Sequence, residues 1–113
     1  MARRDITGAV DFAYLEAFAA GDLAVVDEVL GLFQQQAEMW SPMLAAEDEG
    51  WRDAVHTVKG AARGVGAAAL GLACEQAEAE GPQALPRVHA ALDAALFDIA
   101  AWRHEAALRS LRA

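Results

Sequence analysis

A chain of 113 residues, 56% of them hydrophobic, is long enough for one domain with a buried core, and residues 1–113 are expected to form a single domain. The net charge of −8 argues against nucleic-acid binding, which depends on a basic face. No apolar run approaches the roughly 20 residues that cross a bilayer. Cys74 is the only cysteine, which rules out an intramolecular disulfide and suits a reducing cytoplasm. No apolar segment of the kind found in a signal peptide follows Met1-Ala-Arg-Arg-Asp5.

In chain order, Asp11 caps a short helix through Phe12, Leu15 and Phe18 that stops at Gly21. Asp22 caps a second helix with its apolar stripe at Val26, Val29 or Leu30, Phe33, Ala37, Trp40 and Leu44. Pro42 removes the hydrogen bond to the Glu38 carbonyl, so this helix kinks or finishes there. Glu47-Asp48-Glu49-Gly50 reads as a turn whose acids favour the next helix N-terminus. The third helix spans about Trp51 to Val65, its end weakened by Gly64 and Gly66. A fourth starts near Ala67, uses Leu70, Ala73 or Cys74, and Ala77, and ends at Gly81-Pro82. Pro86 fits the first turn of a last helix carrying Leu85, Val88, Leu92, Leu96, Ile99, Trp102 and Ala106. The alternation that marks a strand is absent. The pattern predicts an all-α fold: an antiparallel up-down-up-down four-helix bundle with a short extra N-terminal helix across one end.

The third helix holds the most informative residues. On a helical wheel Val55, Val58, Ala62 and Val65 fall on one side, and Arg52, His56, Lys59, Gly60 and Arg63 fall on another. Between Arg4 and Arg87 the basic residues are Arg52, Lys59 and Arg63, so this helix reads as a positive island in an acidic chain. A lone histidine is more often structural than reactive, and His89 and His104 read as ordinary surface or boundary residues. His56 departs from that expectation because it lies off the apolar stripe, beside two cations and a glycine. A neutral imidazole is a nucleophile near physiological pH, and ammonium and guanidinium groups stabilise the charge of a transferring phosphoryl group. Gly60 costs about 1 kcal/mol relative to alanine inside a helix, and here it removes bulk beside the imidazole. Gln35 and Gln36 lie near the middle of the preceding helix, where one of them is placed to hydrogen-bond the ring. The three histidines lack metal-ligand spacing, so no metal site is expected.

His56-Thr-Val-Lys59-Gly60, followed by Gly66-Ala67 and Leu70, resembles the signature of the histidine-phosphotransfer (HPt) domains of bacterial phosphorelays. Ala61 stands where that family often has serine. The resemblance implies a cytoplasmic, monomeric phosphocarrier. It would receive a phosphoryl group on His56 from a receiver-domain phosphoaspartate and pass it to another receiver. Lys59 would supply electrostatic stabilisation, supported by Arg63, and Gly60 would permit close approach. Arg52, Thr57 and Gly64 would meet the partner. Response-regulator receiver domains and a hybrid sensor histidine kinase are the implied partners. No cofactor is implied, magnesium being held by the receiver's acidic pocket, and no nucleotide loop suggests an ATP site. Two other classes remain open: a docking module that blocks a receiver or kinase without accepting phosphate, and an enzyme such as a kinase dimerisation fragment or a hydrolase.

Overall fold

The computed structural model describes residues 7–112, and they form five α-helices. These are α1 (Phe12–Phe18), α2 (Leu23–Met43), α3 (Trp51–Val65), α4 (Ala68–Glu80) and α5 (Leu85–Arg112). A 3₁₀ turn at Pro82–Ala84, which the sequence pattern did not indicate, leads into α5. No strand occurs among the described residues.

Local chemistry sets the boundaries. The Asp11 carboxylate accepts from the Tyr14 N–H at 3.0 Å, and that of Asp22 accepts from Ala24 and Val25. Both satisfy amides that have no partner inside the helix. α2 finishes one residue after Pro42, and Leu44 N–H turns back to the Ser41 carbonyl. α3 runs unbroken through Gly64 and stops at Gly66, whose φ of 78° is left-handed. A Cβ at Gly66 would also lie 3.2 Å from the Asp11 carbonyl oxygen, so backbone conformation and contact both call for glycine.

The apolar stripes converge on one core. Leu30, Phe33, Val55, Val58, Leu70, Cys74, Val88, Leu92, Ile99 and Trp102 are all buried. Of the pair left open on α2, Leu30 turns inward and Val29 is exposed; Ala73 and Cys74 are both buried. Each large apolar side chain removed from water contributes about 1.5–3 kcal/mol. Polar contacts set how the helices are paired. Arg103 in the second half of α5 bonds Asp27 near the start of α2 and Gln34 near its middle, and His89 near the start of α5 lies 2.7 Å from the Leu44 carbonyl oxygen. α2 and α5 are therefore antiparallel. Arg87 of α5 reaches Gln76 and Glu80 near the end of α4, so these two are antiparallel as well.

α1 closes one end of the bundle. Phe12 stacks on Trp102 with ring centroids 5.9 Å apart, and Asp11 N–H donates to the Gly66 carbonyl at 2.9 Å. Asp98, a fully buried carboxylate on α5, accepts from Thr7 N–H (2.8 Å), the Thr7 hydroxyl (2.9 Å) and Ala9 N–H (2.8 Å). This fixes the segment that leads into α1.

Candidate functional site

Burial of Val55, Val58, Ala62 and Val65 fixes the rotation of α3, and His56 is thereby turned out. Its side chain is 75% exposed. Nδ1 lies 3.2 Å from Glu78 Oε2 of α4, and Lys59 Nζ lies 2.6 Å from Oε1 of the same carboxylate. Lys59 is only 17% exposed, so its charge sits in the crevice between α3 and α4 rather than in open solvent. Its hydrogen bond holds the Glu78 carboxyl below the ordinary carboxylate range; partial burial opposes this and the His56 ring adds to it. Arg63 pairs with Glu75, and Arg52 donates to the Glu78 carbonyl at 3.4 Å while lying 4.5 Å over the Trp51 ring. These contacts run from 52 to 78 and from 63 to 75, so α3 and α4 are antiparallel.

A carboxylate only accepts, so the imidazole that bonds it is the tautomer with its proton on Nδ1. The Nε2 lone pair is then free on the far side of an exposed ring.

Residues 15–102 match the Hpt domain family. The chain belongs to that family. Its fold is similar to that of the histidine phosphotransferase ShpA from Caulobacter crescentus, with 68% identity and a TM-score of 0.85 over 92% of this chain and 99% of that one. No curated protein matches. Membership places this Hpt domain in phosphotransfer within two-component signalling.

The structure corrects two expectations about the site. Neither Gln35 nor Gln36 bonds the imidazole; the partner is Glu78, because the His56 ring leans toward α4 rather than α2. Nor is α3 an unbalanced positive island, since Glu78 and Glu75 of α4 neutralise Lys59 and Arg63. Glu78 escaped the sequence reading because it lies 22 residues from His56. The usable signal was symmetry about the turn at Gly66: with the two helices antiparallel, an acid twelve residues after that turn faces a residue ten before it.

Arg52, Gly60 and Arg63 sit on the outer face where the wheel placed them. Arg52, Thr57, Gly60, Arg63 and Gly64 are exposed on α3. A Cβ at Gly60 or Gly64 would meet nothing within 4 Å, so no neighbour in this Hpt domain requires either glycine. On α2, Val25, Val29, Leu32, Met39 and Met43 are exposed apolar residues at three- and four-residue spacings, with Gln36 filling the gap. Their phase puts them on the flank away from Arg103, beside α3, where the Met43 methyl approaches Gly50. Of the other histidines, His89 caps the end of α2 and His104 is exposed. Cys74 is buried, and desolvation pushes its thiol up to about 11, with Glu78 adding to the rise. Among the described residues no three His, Cys, Asp or Glu side chains are grouped to hold a metal, and no helix is long and apolar enough to cross a membrane.

Proposed function

We propose that this Hpt domain is a phosphocarrier: His56 takes a phosphoryl group from a receiver phosphoaspartate and yields it to an aspartate of another receiver. The observation that carries the reading is the His56–Glu78 contact, which in the neutral ring puts the proton on Nδ1 and turns the Nε2 lone pair to an open face. In the transfer, the Nε2 lone pair attacks phosphorus in line. The N–P bond forms as the P–O bond to the aspartyl carboxyl breaks, and the electron pair leaves with that carboxylate. The ring gains positive charge as it attacks, and Glu78 beside Nδ1 stabilises it. Lys59, 2.6 Å from the same carboxylate, would offer its ammonium to a phosphoryl oxygen.

Receiver domains of response regulators, and a hybrid sensor kinase as donor, are the partners this chemistry requires. The apolar flank of α2 and the bare backbone at Gly60 and Gly64 provide the contact. Arg52 and Thr57 border it. The domain would act as a cytoplasmic monomer without an ATP site of its own, its magnesium supplied by the receiver. Incubation with a phosphorylated receiver tests this. Acid-labile, base-stable label on this protein is the expected result. Loss of receiver activity without label would instead make it a blocking module.

A further inference from the structure

The two oxygens of Glu78 are divided between the ring and the ammonium: Oε2 lies 3.2 Å from His56 Nδ1 and Oε1 lies 2.6 Å from Lys59 Nζ. The imidazole stands 75% exposed, so Nε2 can gain a phosphoryl group while Nδ1 stays against the carboxylate. The other charges near the ring are engaged elsewhere. On α3, Arg63 pairs with Glu75 of α4, and Arg52 lies over Trp51 and donates to the Glu78 carbonyl. Asp53 stands one turn before His56 and is exposed, with no bond to the ring. The flank of α2 beside α3 carries Val29, Gln36 and Met43 and no charge, because Asp27, Glu28 and Glu38 lie on the side of Arg103. Glu78 is the carboxylate that reaches the imidazole, and it stays ionised at neutral pH because Lys59 holds its carboxyl below the usual range.

Attack through Nε2 leaves the ring protonated on Nδ1 and positively charged. Near neutral pH an exposed ring exchanges such a proton with water. Whether the proton stays decides how phosphorus can leave. With it, the N–P bond breaks to release neutral imidazole. Without it, the leaving group is imidazolate, a far stronger base, and the bond resists cleavage. A carboxylate against Nδ1 favours the protonated ring.

We propose that Glu78 is a positioning residue for the second half of the relay: it keeps the proton on Nδ1 of phosphorylated His56, so that the phosphohistidine stays ready to give up its phosphoryl group. On release, a carboxylate oxygen of the receiver attacks phosphorus. The O–P bond forms as the N–P bond breaks, and the electron pair returns to Nε2. The ring becomes neutral with its Nδ1 proton in place, so neither half-reaction moves a proton. With the Lys59 ammonium drawn to the phosphoryl oxygens, the Glu78 charge is left to the ring alone. The inference rests on the reading of His56 as the phosphoryl acceptor.

The test labels wild type, Glu78→Gln and Lys59→Met with phosphoramidate, which needs no partner. Nitrogen shifts of the phosphorylated ring are followed against pH, together with loss of label to water and to an unphosphorylated receiver. Wild type should hold the Nδ1 proton to a pH about one unit above Glu78→Gln. Above both midpoints Glu78→Gln should release phosphoryl about tenfold more slowly, and below them the rates should converge. Lys59→Met frees the second carboxylate oxygen and should move the midpoint upward. Equal midpoints in wild type and Glu78→Gln overturn the proposal. So does a downward shift in Lys59→Met, or a slowing in Glu78→Gln that is the same at every pH, as a loss of structure alone would give. Failure of the relay reading shows separately, as a wild type labelled by phosphoramidate and never by a phosphorylated receiver; the midpoints then still decide the role of Glu78. A wild type that phosphoramidate leaves unlabelled overturns both.

Discussion

Glu78 joins His56 to Lys59: one carboxylate oxygen lies 3.2 Å from the imidazole Nδ1 and the other 2.6 Å from the ammonium. The same group fixes the ring tautomer and holds the neighbouring cation in reserve. Glu78→Gln keeps the shape and loses the charge, so both effects weaken. Transfer from a phosphorylated receiver is expected to slow about tenfold in kcat/KM, equivalent to about 1.4 kcal/mol of barrier. Nitrogen chemical shifts of His56 should show less proton density on Nδ1.

The same carboxylate gives a pH dependence of defined sign. Its native pKa is held below the ordinary 4.5, chiefly by Lys59. A group depressed in the native state adds stability above its unfolded pKa, and that stability disappears as pH falls through the native one. The wild type should therefore unfold at a higher temperature than Glu78→Gln at pH 7. The gap should begin to close near pH 4.5 and vanish below the lowered native value. A gap that widened on acidification would contradict the Lys59–Glu78 pairing.

Gly60 separates stability from docking. Open space surrounds its missing Cβ, so Gly60→Ala should stabilise the isolated protein by up to about 1 kcal/mol, measured by urea denaturation. Gly60→Met should fold as well and accept phosphate from phosphoramidate, yet lose most transfer from a receiver because its side chain stands where the partner approaches.

Asp98 holds the entry to α1 through three hydrogen bonds inside the core. Asp98→Ala leaves the Thr7 and Ala9 amides without their acceptor. It should cost about 2–4 kcal/mol in a denaturation experiment, since hydrogen bonds to a charged group are worth about 1.5–3 kcal/mol each and the losses overlap. Proteolysis near residue 10 should accelerate.

Cys74 is fully buried and its thiol is pushed up to about 11. Alkylation at pH 8 should be slow in native protein and rapid in denaturant, because only the thiolate reacts.

The helices were legible because each announces itself locally. Asp11 and Asp22 mark starts, Pro42 and Gly66 mark stops, and the spacing from Val55 to Val65 fixes which way His56 points. What local pattern cannot carry is the partner across a helix–helix contact. Glu78 was one acid among several on α4, and only the antiparallel pairing about Gly66 selects it. Arg103 and Gly31 illustrate the same limit: a Cβ at Gly31 would lie 3.0 Å from the Arg103 guanidinium, a close crossing between residues 72 positions apart. The 3₁₀ turn at Pro82–Ala84 was hidden because Gly81-Pro82 signals an end without specifying how the chain continues.

The central claim is that Nε2 of His56 is the atom that carries phosphorus. Long-range proton–nitrogen spectra of the ¹⁵N-labelled domain, recorded after transfer from a phosphorylated receiver, locate it directly. The expected result is phosphorus coupling to His56 Nε2, with Nδ1 still protonated, and no such signal in His56→Gln. Phosphorus on Nδ1, or label retained in His56→Gln, would contradict it.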